Sequence, residues 1–569
     1  MRVAAFLLLL VCFLNAHTQA PPANAVAPEE PSFDNVYHAG SVPVVTGKLL
    51  NVTAAELDSL PITCTLVTPF AEPQVKKIVS VKPDGSFTIP LDYALPNQQI
   101  WFGVGDFYGC LFANKGLYVE LDMKKIKEQK EVYFNGDGVR YLGKDGPLTT
   151  YYNNYILYQK ANKARVPGDM YNMMHPSDHV VDSVLPRYNR LFDSLKKIED
   201  EYIAANASPY GWLLENERMS DFYAGICTMY FGKVMDDSIW HIVKRHKAYL
   251  VSNSSTDYYR YLYMYLTARP GAYIPTTWKD IATMQGLTVD ERKIIDSLQT
   301  GEKLQGQYPY TPENSAKWIK QLKARIHAYA FNRNLARNIK MIDSIFLPAK
   351  ADFLKFQLAQ STDIKEQQEA LEKLLGSMKM NWCKALAKSE TDKRTAKINE
   401  INRTLAGTNS NQSLKGFGKP IIQTSFGASL YKAPSLKALD FLTKLKQSFP
   451  GKAIIIDRWA TWCAPCLGEM PHSKELQEAS KNLPVVFVYL CTLNGSSEDK
   501  WKSKVAEIQQ PGIHFLIDEK LDDEISSYFS FSGYPGYAFI DKTGKYRPGA
   551  IKWMSEIKDE AALADLVNN

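Results

Sequence analysis

Cysteine is scarce in this chain, with 8 in 569 residues. One of them, Cys12, lies in the N-terminal apolar run. That leaves Cys64, Cys110, Cys227, Cys383, Cys463, Cys466 and Cys491. So sparse a set excludes a small disulfide-stapled scaffold. Charge of one sign is also lacking. A net charge of +6 with no dense basic run leaves no footprint for nucleic acid. Beyond the N-terminus no apolar run reaches the ~20 residues of a spanning helix, so the mature chain is expected to carry no transmembrane segment. Metal-ligand spacing is missing too. No second Cys-x-x-Cys accompanies Cys463 and Cys466, Cys491 stands alone, and His472 and His514 form no ligand-spaced pair. Structural zinc is therefore excluded. His175 and His179 are four apart, but Pro176 lies between them and no third histidine is near, so they read as surface residues. His241 and His246 are a weaker pair still.

What is present is a soluble globular composition, 45% hydrophobic and 22% charged. The length implies ~3–4 domains. Arg2, an apolar run from Val3 to Leu14 and small residues at Ala20, Ala23 and Ala25 have the form of a secretory signal peptide over 1–20. Cleavage after Ala20 is expected, with Ala23–Ala25 as the alternative. Cys12 follows Val11 rather than a small residue and is a poor lipidation site. The protein is thus expected in the periplasm or cell envelope, where a Cys-x-x-Cys disulfide persists.

Residues 21–41, rich in Pro and Ala, read as a tether. Over 42–135, short extended runs such as "ITCTLVT" and "GLYVELDM" are separated by turn signals like Pro83-Asp84-Gly85, the pattern of a β-sandwich. Cys64 and Cys110 both fall here, either as a disulfide or as two buried thiols. Over 145–405 the period becomes helical. Leu191, Leu195, Ile198 and Tyr202 form one stripe, and Leu335, Ile339, Ile342 and Phe346 another, in an all-α region of six to ten helices. The tyrosine-dense run Asp257–Leu266 reads as helical core rather than an exposed aromatic groove. Residues 406–419 have linker composition. From 420 to 569, strands such as "KAIIID" and "VVFVYL" alternate with helices, one of them marked by Leu436, Leu439, Leu442 and Leu445. That alternation describes an α/β sheet covered on both faces.

The chemistry concentrates at "DRWATWCAPCLGEMP", Asp457–Pro471. An inert disulfide is a poor reading, because closing so short a loop restrains little of the unfolded chain. A redox pair accounts for more residues. Cys463 falls where a helix begins after a buried strand, and free amides with the helix dipole favour its thiolate. Such a thiolate attacks a disulfide, and Cys466, one turn on, resolves the mixed disulfide. Pro465 is tolerated in a first helical turn and stiffens it.

"GKAIIIDRWATWCAPCLGEMP" resembles the active-site segment of thioredoxin-fold proteins, particularly the exported TlpA/ResA-like thiol-disulfide oxidoreductases. "WATWCAPC" is similar to that family's W-A-x-W-C-x-P-C, and "GYPGYAFIDKTGKY", Gly533–Tyr546, resembles its second signature. The likeness spans about Pro434 to Asn569, and the earlier regions resemble less sharply the extensions of some envelope TlpA-like proteins. The expected fold class is multidomain: N-terminal β-sandwich, all-α middle region, C-terminal α/β thioredoxin fold.

The resemblance implies that Cys463 is the nucleophile, Cys466 the resolving thiol and Pro535 a cis-proline. The backbone at Tyr534 would then pair with substrate. It also implies that Asp457, six residues before Cys463, or Glu469, three after Cys466, takes the Cys466 proton. Trp459 and Trp462 are expected to wall the site. The implied cofactor is none beyond the Cys463–Cys466 disulfide. The implied partners are disulfide-containing proteins and a membrane electron donor of the DsbD type. Two departures from the pattern stand out. Arg458 replaces an apolar residue and, if buried, needs a partner such as a carboxylate, while Leu467 and Gly468 make the rim more apolar. Cys491 ends a central strand and reads as a buried apolar residue. Two alternatives remain: a peroxiredoxin-like peroxidase, although the P-x-x-x-T-x-x-C context it needs is absent before Cys463, and an envelope adaptor whose redox domain is accessory.

Overall fold

The computed structural model describes residues 41–568 except 58–59, 71–73, 130–131, 168–180, 249, 273, 304–308, 310, 360–362 and 407–412. The signal peptide, nearly all of the tether, His175 with His179, and part of the 406–419 linker lie outside the described residues. Two compact units make up the chain. One runs to Gln360 and takes in Ala370–Lys388; the other comprises Ser361–Glu369 and Ser389–Asn569.

In the first unit, apolar residues at every second position create strands with one buried face. Strands β1 (Val45–Leu50), β4 (Ser86–Ile89), β7 (Leu117–Asp122) and β9 (Val139–Leu142) form one sheet in the order β4-β1-β7-β9. Strands β2 (Ile62–Val67), β3 (Gln74–Val79), β5 (Gln98–Val104), β6 (Phe107–Ala113) and β8 (Val132–Tyr133) form a second, in the order β3-β2-β5-β6-β8. Val45, Phe87 and Val119 of the first sheet share one hydrophobic cluster with Ile62, Ile100 and Phe102 of the second. The sheets continue to Leu142, beyond the 42–135 span read from the sequence.

Register separates Cys64 from Cys110. Cys64 lies opposite Phe102 and Cys110 opposite Trp101, so the two face opposite sides of their sheet. Cys64 joins the cluster between the sheets, whereas Cys110 packs with Leu148, Tyr151 and Tyr155 of the helix Gly146–Ala161. Both are free and buried.

Between Gly146 and Leu405 the described residues form eleven α-helices, more than the six to ten expected. The tyrosine-dense run lies in the helix Asn253–Ala268 as core. The Tyr258 hydroxyl donates to Val243 O at 2.7 Å and the Tyr259 hydroxyl to Ala248 O at 2.8 Å. Burying a phenol while pairing its O–H retains the apolar gain without an orphaned donor. No helix among the described residues is long and apolar enough to cross a membrane.

The second unit is built on a seven-stranded sheet, β10 (Ile422–Gln423), β11 (Ala428–Lys432), β12 (Ala453–Trp459), β13 (Val485–Thr492), β14 (Gly512–Ile517), β15 (Gly536–Ile540) and β16 (Tyr546–Arg547). Its order is β10-β11-β14-β13-β12-β15-β16. Strands β11, β14, β13 and β12 run parallel, and β15 pairs antiparallel with β12. Every residue of β12 is buried, as a central strand covered on both faces requires. Alternate residues face different helices. Ala453, Ile455 and Trp459 pack with helices α2 (Ala464–Ala479), α3 (Glu498–Ile508) and α5 (Glu560–Asn568). Ile454 and Ile456 pack with α1 (Ala438–Ser448) and α4 (Glu519–Phe529).

The leucine stripe of α1 is offset from the one read in the sequence. Phe441, Leu442 and Leu445 are buried, but Leu439 is 63% exposed. A helix advances 100° per residue, so steps of three drift off the buried face unless alternated with steps of four. Ile456→Ala is expected to cost about 2–5 kcal/mol in a urea transition. Leu439→Ala is expected to change stability by less than about 0.5 kcal/mol. Comparable losses from the two would place Leu439 in the core.

Candidate active site

Strand β12 delivers its last residues to the N-terminus of α2. Cys463 is the N-cap in extended conformation, Pro465 occupies the first turn where a missing N–H costs nothing, and the Cys463 Sγ accepts from the Cys466 N–H at 3.2 Å. Cys463 and Cys466 are joined as a disulfide with Cα atoms 5.3 Å apart. Both are almost wholly buried, while the neighbouring Trp462 is 44% exposed.

The strand's alternation then separates the next two charged residues. Asp457 falls on the face of Ile455 and Trp459, toward α2, and Arg458 on the face of Ile454 and Ile456, toward α4. Asp457 is 2% exposed, and neither carboxylate oxygen has a hydrogen-bond partner among the described residues. Burial, and after it the negative charge of Glu469, pushes its carboxyl up to about 8. Tyr537, opposite Asp457 across β12 and β15, also keeps a buried hydroxyl without a partner among the described residues. Burial and the nearby Asp457 and Glu469 charges drive that phenol well above its ordinary range.

Glu469 is half-buried on α2 and held in place. Its carboxylate accepts from Ser555 N at 2.9 Å and from the Ser555 hydroxyl at 3.1 Å. The two candidate proton acceptors therefore differ: Asp457 is dry and unpaired, and Glu469 is tied to a backbone amide.

Arg458 finds the buried partner its position demands. Its guanidinium meets Asp522 of α4 through two bonds, Nε to Oδ1 at 2.7 Å and Nη2 to Oδ2 at 3.0 Å. The remaining donors reach the loop before β15: Nη1 to Gly533 O at 3.1 Å and Nη2 to the Tyr534 hydroxyl at 2.9 Å. The guanidinium carbon stands 3.9 Å from the Tyr534 ring centre, and the Tyr534 hydroxyl donates to Asp522. The Tyr534–Pro535 bond that follows is cis.

Trp462 completes the exposed rim. Its indole N–H donates to Asn494 O at 2.9 Å, and its ring meets Tyr534 edge-on with centroids 5.4 Å apart. The approach leaves room only for glycine at 495, where a Cβ would lie 2.6 Å from the Trp462 Nε1 and φ is +71°.

Trp459, expected to wall the site, is instead fully buried in the cluster that holds both cysteines, so it offers no surface to a substrate. The alternation that directs Asp457 under α2 directs Trp459 there as well. Leu467 is half-buried against that cluster and Gly468 is exposed. Cys491 is fully buried opposite Trp459, and burial raises its thiol well above the ordinary range, so it stays a neutral thiol. Sequence reasoning missed Asp522, Tyr537 and Ser555. Asp522 had a signal: it lies on the helical face of Leu521, Ile525 and Phe529, where a buried acid implies a buried base.

The Redoxin family model matches residues 432–556. The thioredoxin-like protein YneN of Bacillus subtilis is 33% identical over 133 residues, which are 23% of this chain and 74% of that protein. The chain belongs to the TlpA/ResA-like family of thioredoxin-fold thiol-disulfide oxidoreductases. ResA of Geobacillus kaustophilus is 28% identical over 141 residues, 24% of this chain and 78% of its own. A thioredoxin-family thiol:disulfide interchange protein from Chlorobium tepidum is similar in structure, at 21% identity and a TM-score of 0.18. That similarity covers 22% of this chain and 82% of that one. As a TlpA/ResA-like oxidoreductase, the chain carries its redox chemistry in its final quarter.

Because Arg458 and Asp522 are both buried, removing one charge strands the other. Asp522→Asn is expected to cost about 3–5 kcal/mol in urea unfolding. An Arg458→Met, Asp522→Leu double variant should recover most of that loss. A double variant as unstable as the single one would show that the pair does more than neutralise itself.

Proposed function

We propose that the chain is an exported reductase of protein disulfides that works through the Cys463–Cys466 dithiol. The observation that carries this reading is a Cys-Ala-Pro-Cys pair at a helix N-terminus, on the face to which Asp457 is turned with no partner of its own. In the reduced protein the Cys463 thiolate attacks a substrate disulfide. One substrate sulfur leaves as a thiolate that takes up a proton, and Cys463 holds the other in a mixed disulfide. Cys466 then loses its proton, attacks the Cys463 sulfur and releases the second substrate thiol. The enzyme ends as the disulfide, having passed two electrons to substrate.

Asp457 is the group for the Cys466 proton: the fraction of it that is ionised near neutral pH is a strong base, because burial raises its proton affinity. Glu469 tunes it through charge rather than replacing it. Tyr534 and the cis-Pro535 present backbone to an extended substrate beside Cys463, with Trp462 as an apolar contact. No metal or organic cofactor enters these steps. Electrons to regenerate the dithiol come from a membrane donor of the DsbD type. Export rests on the apolar N-terminal run with its small-residue exit. The domain plan is a β-sandwich that starts near 42 and runs to Leu142, a helical region over 145–405, a linker over 406–419 and a thioredoxin-like domain over 420–569. The shared cluster between the two N-terminal sheets supports the sandwich.

Thiol equilibration of the full chain tests the direction. A potential near thioredoxin's, roughly −270 mV, is the expected result, and a value near about −120 mV would make the protein an oxidant. The Asp457 assignment has its own test. Its carboxyl holds a proton up to about pH 8 when folded, against about 3.9 when unfolded, so the folded state binds the extra proton in that window. The Asp457 contribution to stability is therefore greatest below about pH 4 and falls as pH rises toward 8. Asp457→Asn should remove that slope and gain on the order of 2–4 kcal/mol over the parent at pH 8. Parallel stability–pH curves for parent and variant would count against a buried neutral carboxyl.

A further inference from the structure

Strand register sets Asp457 between two tyrosines. Tyr489 lies directly opposite it on β13, and Tyr537 directly opposite it on β15. Both rings join the cluster that holds the two cysteines, so all three side chains lie on the α2 face of the sheet. Across an antiparallel pair, residues directly opposite have Cβ atoms roughly 4.5–5.5 Å apart, which puts the Tyr537 side chain against Asp457. The two phenols differ in what they bind. The Tyr489 hydroxyl accepts from Gln510 Nε2 at 2.7 Å and stands 2.8 Å from the Ser473 hydroxyl. The Tyr537 hydroxyl and both Asp457 oxygens are buried with no partner among the described residues.

Buried polar atoms seldom stay unpaired, and here a donor and an acceptor are left over on directly opposed residues. The Trp459 indole N–H is a second unpaired donor on this face, but it lies two residues along the same strand, roughly 6–7 Å away, rather than opposite. The other titratable groups on this side of the sheet are Cys463, Cys466 and Glu469 of α2, with His514 of β14. His514 stacks on the Tyr489 ring at 4.7 Å, and burial pushes its imidazole down to about 4, so it is neutral. His472 of α2 is bonded to Ile557 O at 2.8 Å. Helices α3 and α5 meet the cluster through apolar residues such as Trp501 and Leu563. The negative charge of Glu469 favours the protonated acid, so a carboxylate at Asp457 needs a donor from the protein itself.

We propose that Tyr537 is a positioning residue for the proton transfer: its hydroxyl donates to the Asp457 carboxylate while that group awaits the Cys466 proton. This role rests on the reductase reading. In the transfer the proton leaves the Cys466 sulfur for an Asp457 oxygen, the sulfur keeps the electron pair with which it attacks Cys463, and Tyr537 keeps its own proton. Burial holds that phenol far above its ordinary range, so it acts as a hydrogen-bond donor and not as an acid. A carboxylate draws a hydroxyl roughly twice as strongly as a neutral carboxyl does, so the bond forms with the charge and loosens once the proton arrives. Tyr537 thereby opposes Glu469: it lowers the proton affinity of Asp457, which the Glu469 charge raises.

A double-mutant comparison on the full chain tests it, using Tyr537→Phe, which removes one oxygen and keeps the ring. Urea stability against pH, measured on the disulfide form with and without Asp457→Asn, isolates the Asp457-dependent decline. That decline is expected to extend about one pH unit higher in Tyr537→Phe than in the parent, a tenfold rise in proton affinity. A packing role alone would move stability equally at every pH. A decline that ends at the same or a lower pH in Tyr537→Phe would overturn the proposal. The rate of disulfide reduction by the reduced chain is the second readout. Its acid limb should also move up by about one pH unit in Tyr537→Phe, and not once Asp457→Asn is present. A chain that reduces no disulfide refutes the reductase reading, while the stability comparison still decides whether the two residues are coupled. Should Tyr537→Phe fail to fold, the near-ultraviolet tyrosine band of the unaltered chain decides. It should shift as Asp457 ionises, and no shift beyond that of Asp457→Asn would overturn the pairing.

Discussion

Strand β12 is buried on both faces, yet it ends in an acid and a base. That constraint organises the second unit. A strand in mid-sheet has no solvent to offer a charge, so each charged side chain is either paired or held neutral. The pleat sends Asp457 and Arg458 to opposite sides, and the two faces answer differently. On one side Asp522 is placed to meet the guanidinium with two bonds. On the other, the Asp457 carboxyl meets no partner among the described residues and burial favours its protonated form. One face is thus rigid and electrostatically satisfied. The other carries a titratable group beneath a reactive pair.

The rigid face also reaches the surface. Arg458 binds the carbonyl of Gly533 and the ring and hydroxyl of Tyr534, so the loop with the cis Tyr534–Pro535 bond is anchored to the central strand. Tyr534 in turn meets Trp462, whose indole is held by the backbone of Asn494. Three segments distant in sequence are fixed around Cys463 by one buried cation and one exposed tryptophan. A charged residue that departs from the family pattern thereby acts as the brace of the loop expected to receive substrate.

The first unit uses polar groups in another way. Tyr258 and Tyr259 bury their rings and donate their hydroxyls to the carbonyls of Val243 and Ala248. Glu217, Arg218 and Tyr151 nonetheless keep buried polar atoms without a partner among the described residues. In the second unit the informative residues are those whose buried polar atoms lack partners.

Much of this was readable before any coordinates. Period-two and helical patterns locate strands and helices because burial on one face demands them, and the Cys463–Cys466 spacing at a strand-to-helix junction implies a redox pair because an N-terminal thiolate is stabilised there. The same reasoning stated that Arg458, if buried, must have a partner. It did not say which acid, since Asp518, Asp522, Asp523 and Glu524 all crowd α4 and only packing turns Asp522 inward. Nor did it reveal that Trp459 is core and Trp462 rim, that Leu439 faces water, or that Cys64 and Cys110 look away from each other. Local sequence carries the period of an element and the chemistry of its side chains. Which neighbour each face meets is a property of strand register and helix rotation, and those are set by contacts between residues far apart along the chain.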